Sequence, residues 1–135
     1  LIIAPLQTEE AQHILIEEVD KKVAFPNGML FFKSMSVVNH QPSTESNIAT
    51  LDTTEIRYPL LLRKWKAGDY FYPLGMNKKK KLSKFFIDNK LSKTEKENVW
   101  ILETNKKIIW VIGYRIDDRF KWKSNTKYVL LVEKK

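Results

Sequence analysis

The chain has no cysteine, only two histidines and only four glycines among its 135 residues. Without cysteine there is no disulfide, no thiolate metal site and no cysteine nucleophile. His13 and His40 lack the spacing of a metal-binding pair. Gly28, Gly68, Gly75 and Gly113 are too scattered for a G-x-G-x-x-G or G-x-x-x-x-G-K-[ST] phosphate loop. No G-x-S-x-G elbow is present either. Apolar runs such as "IIWVI" (108–112) are too short to span a bilayer. "LIIAPL" (1–6) lacks the basic leader of a signal peptide. A cytoplasmic protein is expected. Because the first residue is Leu and not Met, a piece of a longer chain is expected too.

Acidic pairs occur at Glu9 with Glu10, Glu17 with Glu18, and Asp117 with Asp118. Adjacent carboxylates seldom converge on one substrate, so none is assigned to catalysis, and no metal ligand is assigned. Asp117 and Asp118 are expected to pair with Arg115 and Arg119, or to cap a turn. An enzyme would need a pocket of perturbed titratable groups, around Asp69, Asp88 or Asp117.

What is present suits one folded domain. The chain is 43% hydrophobic and 12% aromatic, enough to build a core. Its net charge of +8 is lopsided. Residues 1–59 carry four basic and eight acidic residues, a net −4, while residues 60–135 carry twenty and eight, a net +12. Such a basic half calls for a polyanionic partner, nucleic acid or an anionic membrane. Membrane binding would need an amphipathic helix with a broad apolar face, and the basic half is mainly strand-like.

Strands are expected over 1–6, 58–65, 99–104, 107–113 and 127–133, the third and fourth joined at "NK". Residues 8–23 fit either a helical stripe (Ala11, Ile14, Leu15, Val19) or a strand in "HILIEEV". The strand is preferred, because "FPNG" (25–28) then turns into "MLFFKSMSVV" (29–38). Residues 39–50 read as a loop. In "KKLSKFFIDNK" (80–90), Leu82, Phe85 and Phe86 share one helical face. Ser92 with Glu95 signals a capped second helix. The fold class is α+β, a mostly antiparallel sandwich-like domain with one or two short helices.

The basic residues cluster. Lys78, Lys79, Lys80, Lys81 and Lys84 surround the start of the first helix, where an anion is favoured. Arg63, Lys64 and Lys66 flank Trp65, and Tyr70, Phe71 and Tyr72 follow. Aromatics beside cations can stack on bases, although Trp65, Phe85, Phe86 and Trp110 are expected in the core. "GYRIDDRFKWK" (113–123) adds Arg115, Arg119, Lys121 and Lys123.

"PLLLRKWKAGDYFYPLGMNKKKKLSKFFIDNKL" (59–91) and "IIWVIGYRIDDRFK" (108–121) resemble the C-terminal domain of bacterial tRNA(Ile)-lysidine synthetase. The shared pattern is R-x-W-x-x-G-D-x-F-x-P-L-G-M, a lysine-rich turn, K-L-x-x-x-F-I-D-x-K, then I-x-W-V-x-G-x-R-I-D. It covers residues 51–135, with 1–50 a strand-rich leading segment of the same region. The resemblance implies an enzyme that uses ATP, with magnesium, to join lysine to the wobble cytidine of an isoleucine tRNA. Its catalytic S-G-G-x-D-S loop is absent, since this chain has no adjacent glycines. The fragment is therefore expected to be inactive alone and to hold no cofactor. Its implied partners are the acceptor stem of isoleucine tRNA and the catalytic domain of its own chain, with a homodimer also compatible. The implied fold is a β-sandwich-like one, related to a domain of the phenylalanine tRNA synthetase β subunit. By position, Arg63, residues 78–81, Lys84, Lys90 and Arg115 become phosphate contacts, with Lys64, Lys66, Arg119 and Lys121 beside them. Gly68, Pro73, Gly75 and Gly113 become turn-formers. Tyr70 stands where arginine is common, and Asn77 near a usual glycine. The alternative is a structural domain that packs on the catalytic part without touching RNA.

Overall fold

The computed structural model describes residues 13–135. The strand expected over 1–6, and Ala11 of the alternative helical stripe, lie outside them. Numbered along the chain, β1 (His13–Ile16), β5 (Leu60–Lys64), β8 (Trp100–Thr104), β9 (Lys107–Val111) and β10 (Arg115–Ile116) form one antiparallel sheet in the order β1-β5-β8-β9-β10. A second sheet holds β2 (Lys22–Phe25), β3 (Gly28–Ser36), β11 (Tyr128–Lys134) and β4 (Ile48–Asp52) in the order β2-β3-β11-β4. β6 (Tyr70–Phe71) and β7 (Lys80–Lys81) form a small ribbon leading into α1 (Leu82–Asp88) and α2 (Lys93–Glu97). Strands from residues 13–52 and from 60–134 share both large sheets. The expected α+β class, mostly antiparallel with two short helices, is what is found.

Two cores follow from the alternation of side chains along strands. Ile16, Leu60, Leu62, Trp100 and Leu102 of the first sheet meet Phe25, Leu30, Phe32, Leu51 and Val132 of the second. Val99, Ile101, Ile108 and Val111 point to the opposite face of the first sheet, where Phe71, Leu82, Phe85 and Phe86 cover them. A bulge at Leu102/Glu103 breaks the period of two. It leaves Ile109 and Trp110, neighbours in sequence, both in the first core. The "NK" hairpin closes with Asn105 at φ 49° and Lys106 at φ 67°. Two left-handed residues match the twist of the flanking strands.

Three expectations need correction. The hairpin arm before "FPNG" is Lys22–Phe25, while His13–Ile16 belongs to the other sheet and pairs with β5. The loop expected over 39–50 ends early, at β4. There Ala49 and Leu51 enter the core between Thr50 and Asp52, an alternation hidden by the polar residues before it. The first helix spans Leu82–Asp88, not 80–90, because Lys80 and Lys81 pair with Phe71 and Tyr70. The second helix has the expected capping box, with Ser92 Oγ accepting from the Glu95 N–H and the Glu95 carboxylate from the Ser92 N–H.

Candidate nucleic-acid interface

The turn before Tyr70 is built on a buried ionic cluster. Arg63 is 6% exposed. Its two terminal nitrogens donate to both Asp69 oxygens at 2.9 and 3.0 Å, and its Nε donates to Glu103 at 2.9 Å. Asp69 also accepts from the Lys66 N–H at 2.7 Å, closing the turn. Burial alone would lower the Arg63 pKa, but Asp69 and Glu103 outweigh it and raise it. Arg63 is spent inside the protein, where it fixes the turn from which β6 emerges.

On β6, side chains alternate: Phe71 is buried and Tyr70 is 44% exposed. Pairing of Tyr70 with Lys81 and Phe71 with Lys80 folds the lysine run back over this ribbon. Lys79 then places its ammonium 4.8 Å from the centre of the Tyr70 ring. Lys78, Lys79 and Lys81 are exposed. Lys80 differs, because it turns inward to an ion pair with Asp88, which Lys84 joins at 3.4 Å. The hydrogen bond from Lys80 is the main reason the Asp88 pKa lies below its ordinary value. The first N–H of α1, on Leu82, is taken by the Asp69 carbonyl at 2.9 Å. One of the first-turn N–H groups is thus already used, and the exposed lysines add their charge to this end of the helix.

A second segment closes beside the ribbon. Asp117, fully buried, accepts from the N–H groups of Tyr72 (2.9 Å) and Arg119 (2.8 Å) and from two Arg119 side-chain nitrogens, both at 3.0 Å. Asp118 accepts from the Gly75 N–H at 3.0 Å and pairs with Lys121 at 3.1 Å. Gly75 lies at φ 89°, a conformation that favours glycine. Of the pairings expected for these aspartates, Asp117 takes Arg119 and caps the turn, whereas Asp118 takes Lys121. Arg115 takes neither.

Arg119 lies 4.3 Å from the centre of the Tyr72 ring, and the Tyr70 and Tyr72 rings stand 6.5 Å apart, edge to face. Lys79, Tyr70, Tyr72 and Arg119 thus form an unbroken ladder of cations and rings. A recess of about 90 Å³ bordered by Tyr70 and Arg119 of the ladder is also lined by Lys106 and Lys107. Near the Lys78 end of the ladder an open recess of about 480 Å³ lies among Gly75, Met76, Lys78, Asp118 and Lys121.

Of the residues singled out from sequence, Lys78, Lys79, Arg119 and Lys121 border this surface, with Lys81 paired to Tyr70 on the ribbon. Lys80 and Lys84 meet at Asp88. Lys64, half-buried on β5, and the exposed Lys66 lie near the Asp69 turn. Lys90 ends the first helix at φ 59°. Arg115 sits on the edge strand β10. Phe85, Phe86 and Trp110 are in the core as expected, and Trp65 packs on Phe86 with its indole N–H donating to the Lys96 carbonyl at 2.6 Å. Sequence reasoning missed Lys106 and Lys107. Their place in the "NK" hairpin beside two core strands was the available signal. Asp69 and Asp117 are saturated by donors from their own chain. Among the described residues no group of three or more His, Asp or Glu side chains could hold a metal ion.

Residues 60–132 match a family model described as the TilS substrate C-terminal domain. The chain is 37% identical over 132 residues to the tRNA(Ile)-lysidine synthase of Parabacteroides distasonis, covering 98% of this chain and 30% of that one. It is 40% identical over 87 residues to the enzyme of the same name from Bacteroides thetaiotaomicron, covering 64% and 20% respectively. The chain thus spans less than a third of the length of these curated relatives. Its fold is shared with a crystal structure of a TilS C-terminal domain. The TM-score is 0.70 and the identity 22%, over 90% of this chain and 97% of that one.

Proposed function

The chain belongs to the family of TilS substrate C-terminal domains, and from that premise we propose that it grips the tRNA acceptor stem for a tRNA(Ile)-lysidine synthase. The observation that carries this reading is the Lys79–Tyr70–Tyr72–Arg119 ladder, flanked by Lys78, Lys81 and Lys121 and extended by Lys106 and Lys107, with Lys84 further along α1. A-form RNA hides its base edges in a deep, narrow groove, so proteins hold it by shape, 2′-hydroxyls and phosphates. Lysines act there as point charges. Lys64, Lys66 and Lys90 are outer contacts, and Arg63 supports the turn from beneath. The chemistry, joining lysine to the wobble cytidine with ATP and magnesium, belongs to the catalytic part of the full enzyme, in the cytoplasm.

A second reading, packing on that catalytic part, draws on Leu15 and Val19, which are 63% and 80% exposed in the acidic half. One experiment separates the two. Binding to an acceptor-stem RNA duplex and to a DNA duplex of the same sequence is followed by fluorescence anisotropy across a salt series. RNA preference with a steep salt dependence is expected. Absent or equal binding to both duplexes would overturn the RNA reading and leave the packing one.

A further inference from the structure

Beside the ladder runs a separate cleft of about 440 Å³ between the loop before β4 and the segment after β9. That volume lies within the range of about 300–1,000 Å³ in which proteins enclose small ligands. Trp122, Tyr114 and Leu74 give it apolar and aromatic walls, and Arg115 and Lys121 line it as cations. Trp122 and Tyr114 are only partly covered; Tyr114 also packs against the second core, so Trp122 is the main stacking wall. Arg115 forms no ion pair with any described residue. Lys121 also borders the open recess next to Lys78, so the cleft and the lysine surface share that side chain.

We propose that this cleft takes one unpaired nucleotide that extends from the end of the duplex held on the lysine surface. The inference rests on the acceptor-stem reading and adds a site to it. An interior paired base has both faces covered by its neighbours, and a terminal pair offers one face only as part of the rigid duplex end. An unpaired base can swing into a cleft and lay a face on an indole or phenol ring. An anionic phosphate beside that base suits Arg115 and Lys121. Glu45 also lines the cleft. Its carboxylate repels phosphate but accepts from the exocyclic amino group of adenine or cytosine. The base is therefore placed toward Glu45 and the phosphate toward the cations. An acidic peptide would satisfy the cations but would leave the aromatic walls without a planar partner, and it would be repelled by Glu45.

The test compares this chain's binding to a blunt RNA duplex and to the same duplex carrying a short unpaired extension ending in adenosine, on either strand. The extension should tighten binding about tenfold, in the range for stacking one base on one aromatic ring. 2-Aminopurine placed in the extension should be quenched on binding. Trp122→Ala should reduce the affinity to that of the blunt duplex and abolish the quenching, and Trp122→Phe should keep part of both. A 4-thiouridine crosslink from the extension, made with the unaltered chain, should map to Trp122 or Tyr114 whether or not the variants fold. Equal affinity for blunt and extended duplexes, or a crosslink elsewhere, would overturn the cleft while leaving the acceptor-stem reading in place. Failure to bind either duplex would overturn both.

Discussion

Arg119 holds its guanidinium 4.3 Å from the centre of the Tyr72 ring while two of its nitrogens bind the two oxygens of the buried Asp117. One planar group therefore ties the buried carboxylate to the end of the ladder of cations and rings. Asp117 in turn takes the Tyr72 N–H, so the ring, the cation and the carboxylate position one another. Lysine keeps the charge but has neither the fork nor the planar face. Arg119→Lys should thus cost about 1–3 kcal/mol of stability in urea denaturation, the scale of hydrogen bonds to a charged group. RNA affinity should fall as well. Unchanged stability would mean that the backbone donors alone hold Asp117.

The exposed lysines should behave differently. Changing Lys78, Lys79 and Lys81 together to alanine should leave the unfolding midpoint nearly unchanged, since surface substitutions rarely exceed about 0.5 kcal/mol each. The slope of log affinity against log salt should become shallower by about one for each phosphate that is no longer neutralised. An unchanged slope would remove these lysines from the interface.

Lys80 is the exception within the run, and proton titration can reveal it. Its ammonium donates to Asp88 and holds that carboxyl below its usual pKa. Lys80→Ala should move the Asp88 titration, followed by carboxyl-carbon NMR, back up toward the ordinary carboxylate range. Lys78→Ala should not. If both variants leave Asp88 in place, Lys84 alone sets its pKa.

Much of this was legible in the sequence because local chemistry and global fold agree there. The capping box of Ser92 and Glu95, the "NK" hairpin and the Leu82–Phe85–Phe86 face each need only their own residues to form. β4 was not legible, since its two core residues alternate with Thr50 and Asp52 at the end of a polar stretch. The place of Arg63 was hidden for a related reason. A cation beside tryptophan in a basic segment looks like a surface group until Glu103, forty positions away, is brought to its Nε. Lys106 and Lys107 joined the basic surface only because the fold brings them to the same recess as Tyr70.

Asp52 makes a prediction about acid stability. Burial by itself would raise its pKa, but hydrogen bonds from Thr126 and Thr54 outweigh that and leave it lowered. A depressed carboxyl pKa contributes stability that is fully present above the unfolded value, about 4. That stability is lost as pH falls through the folded value. Thr126→Val removes the hydroxyl donor, and should cost about 1.5–3 kcal/mol near pH 7. The gap between variant and native chain should narrow below about pH 4, as protonation removes the charge the hydroxyl serves. A gap independent of pH would assign the loss to packing and to the Lys123 N–H, which also loses Thr126 Oγ1 as its acceptor.

Arg63 tests whether a buried charge in a basic domain is there for the partner or for the fold. It is 6% exposed, and Asp69 and Glu103 both depend on it. Removing one member of a buried ionic cluster leaves uncompensated charge and costs about 3–5 kcal/mol. Arg63→Met should therefore destabilise the chain by about that much in denaturant. Adding Asp69→Asn and Glu103→Gln to it should recover part of the loss, because the carboxylates left behind are then neutral. A residue whose main role is to touch phosphate would behave in the opposite way. Its loss would weaken RNA binding at unchanged stability, and neutralising the two carboxylates would bring no recovery in denaturant.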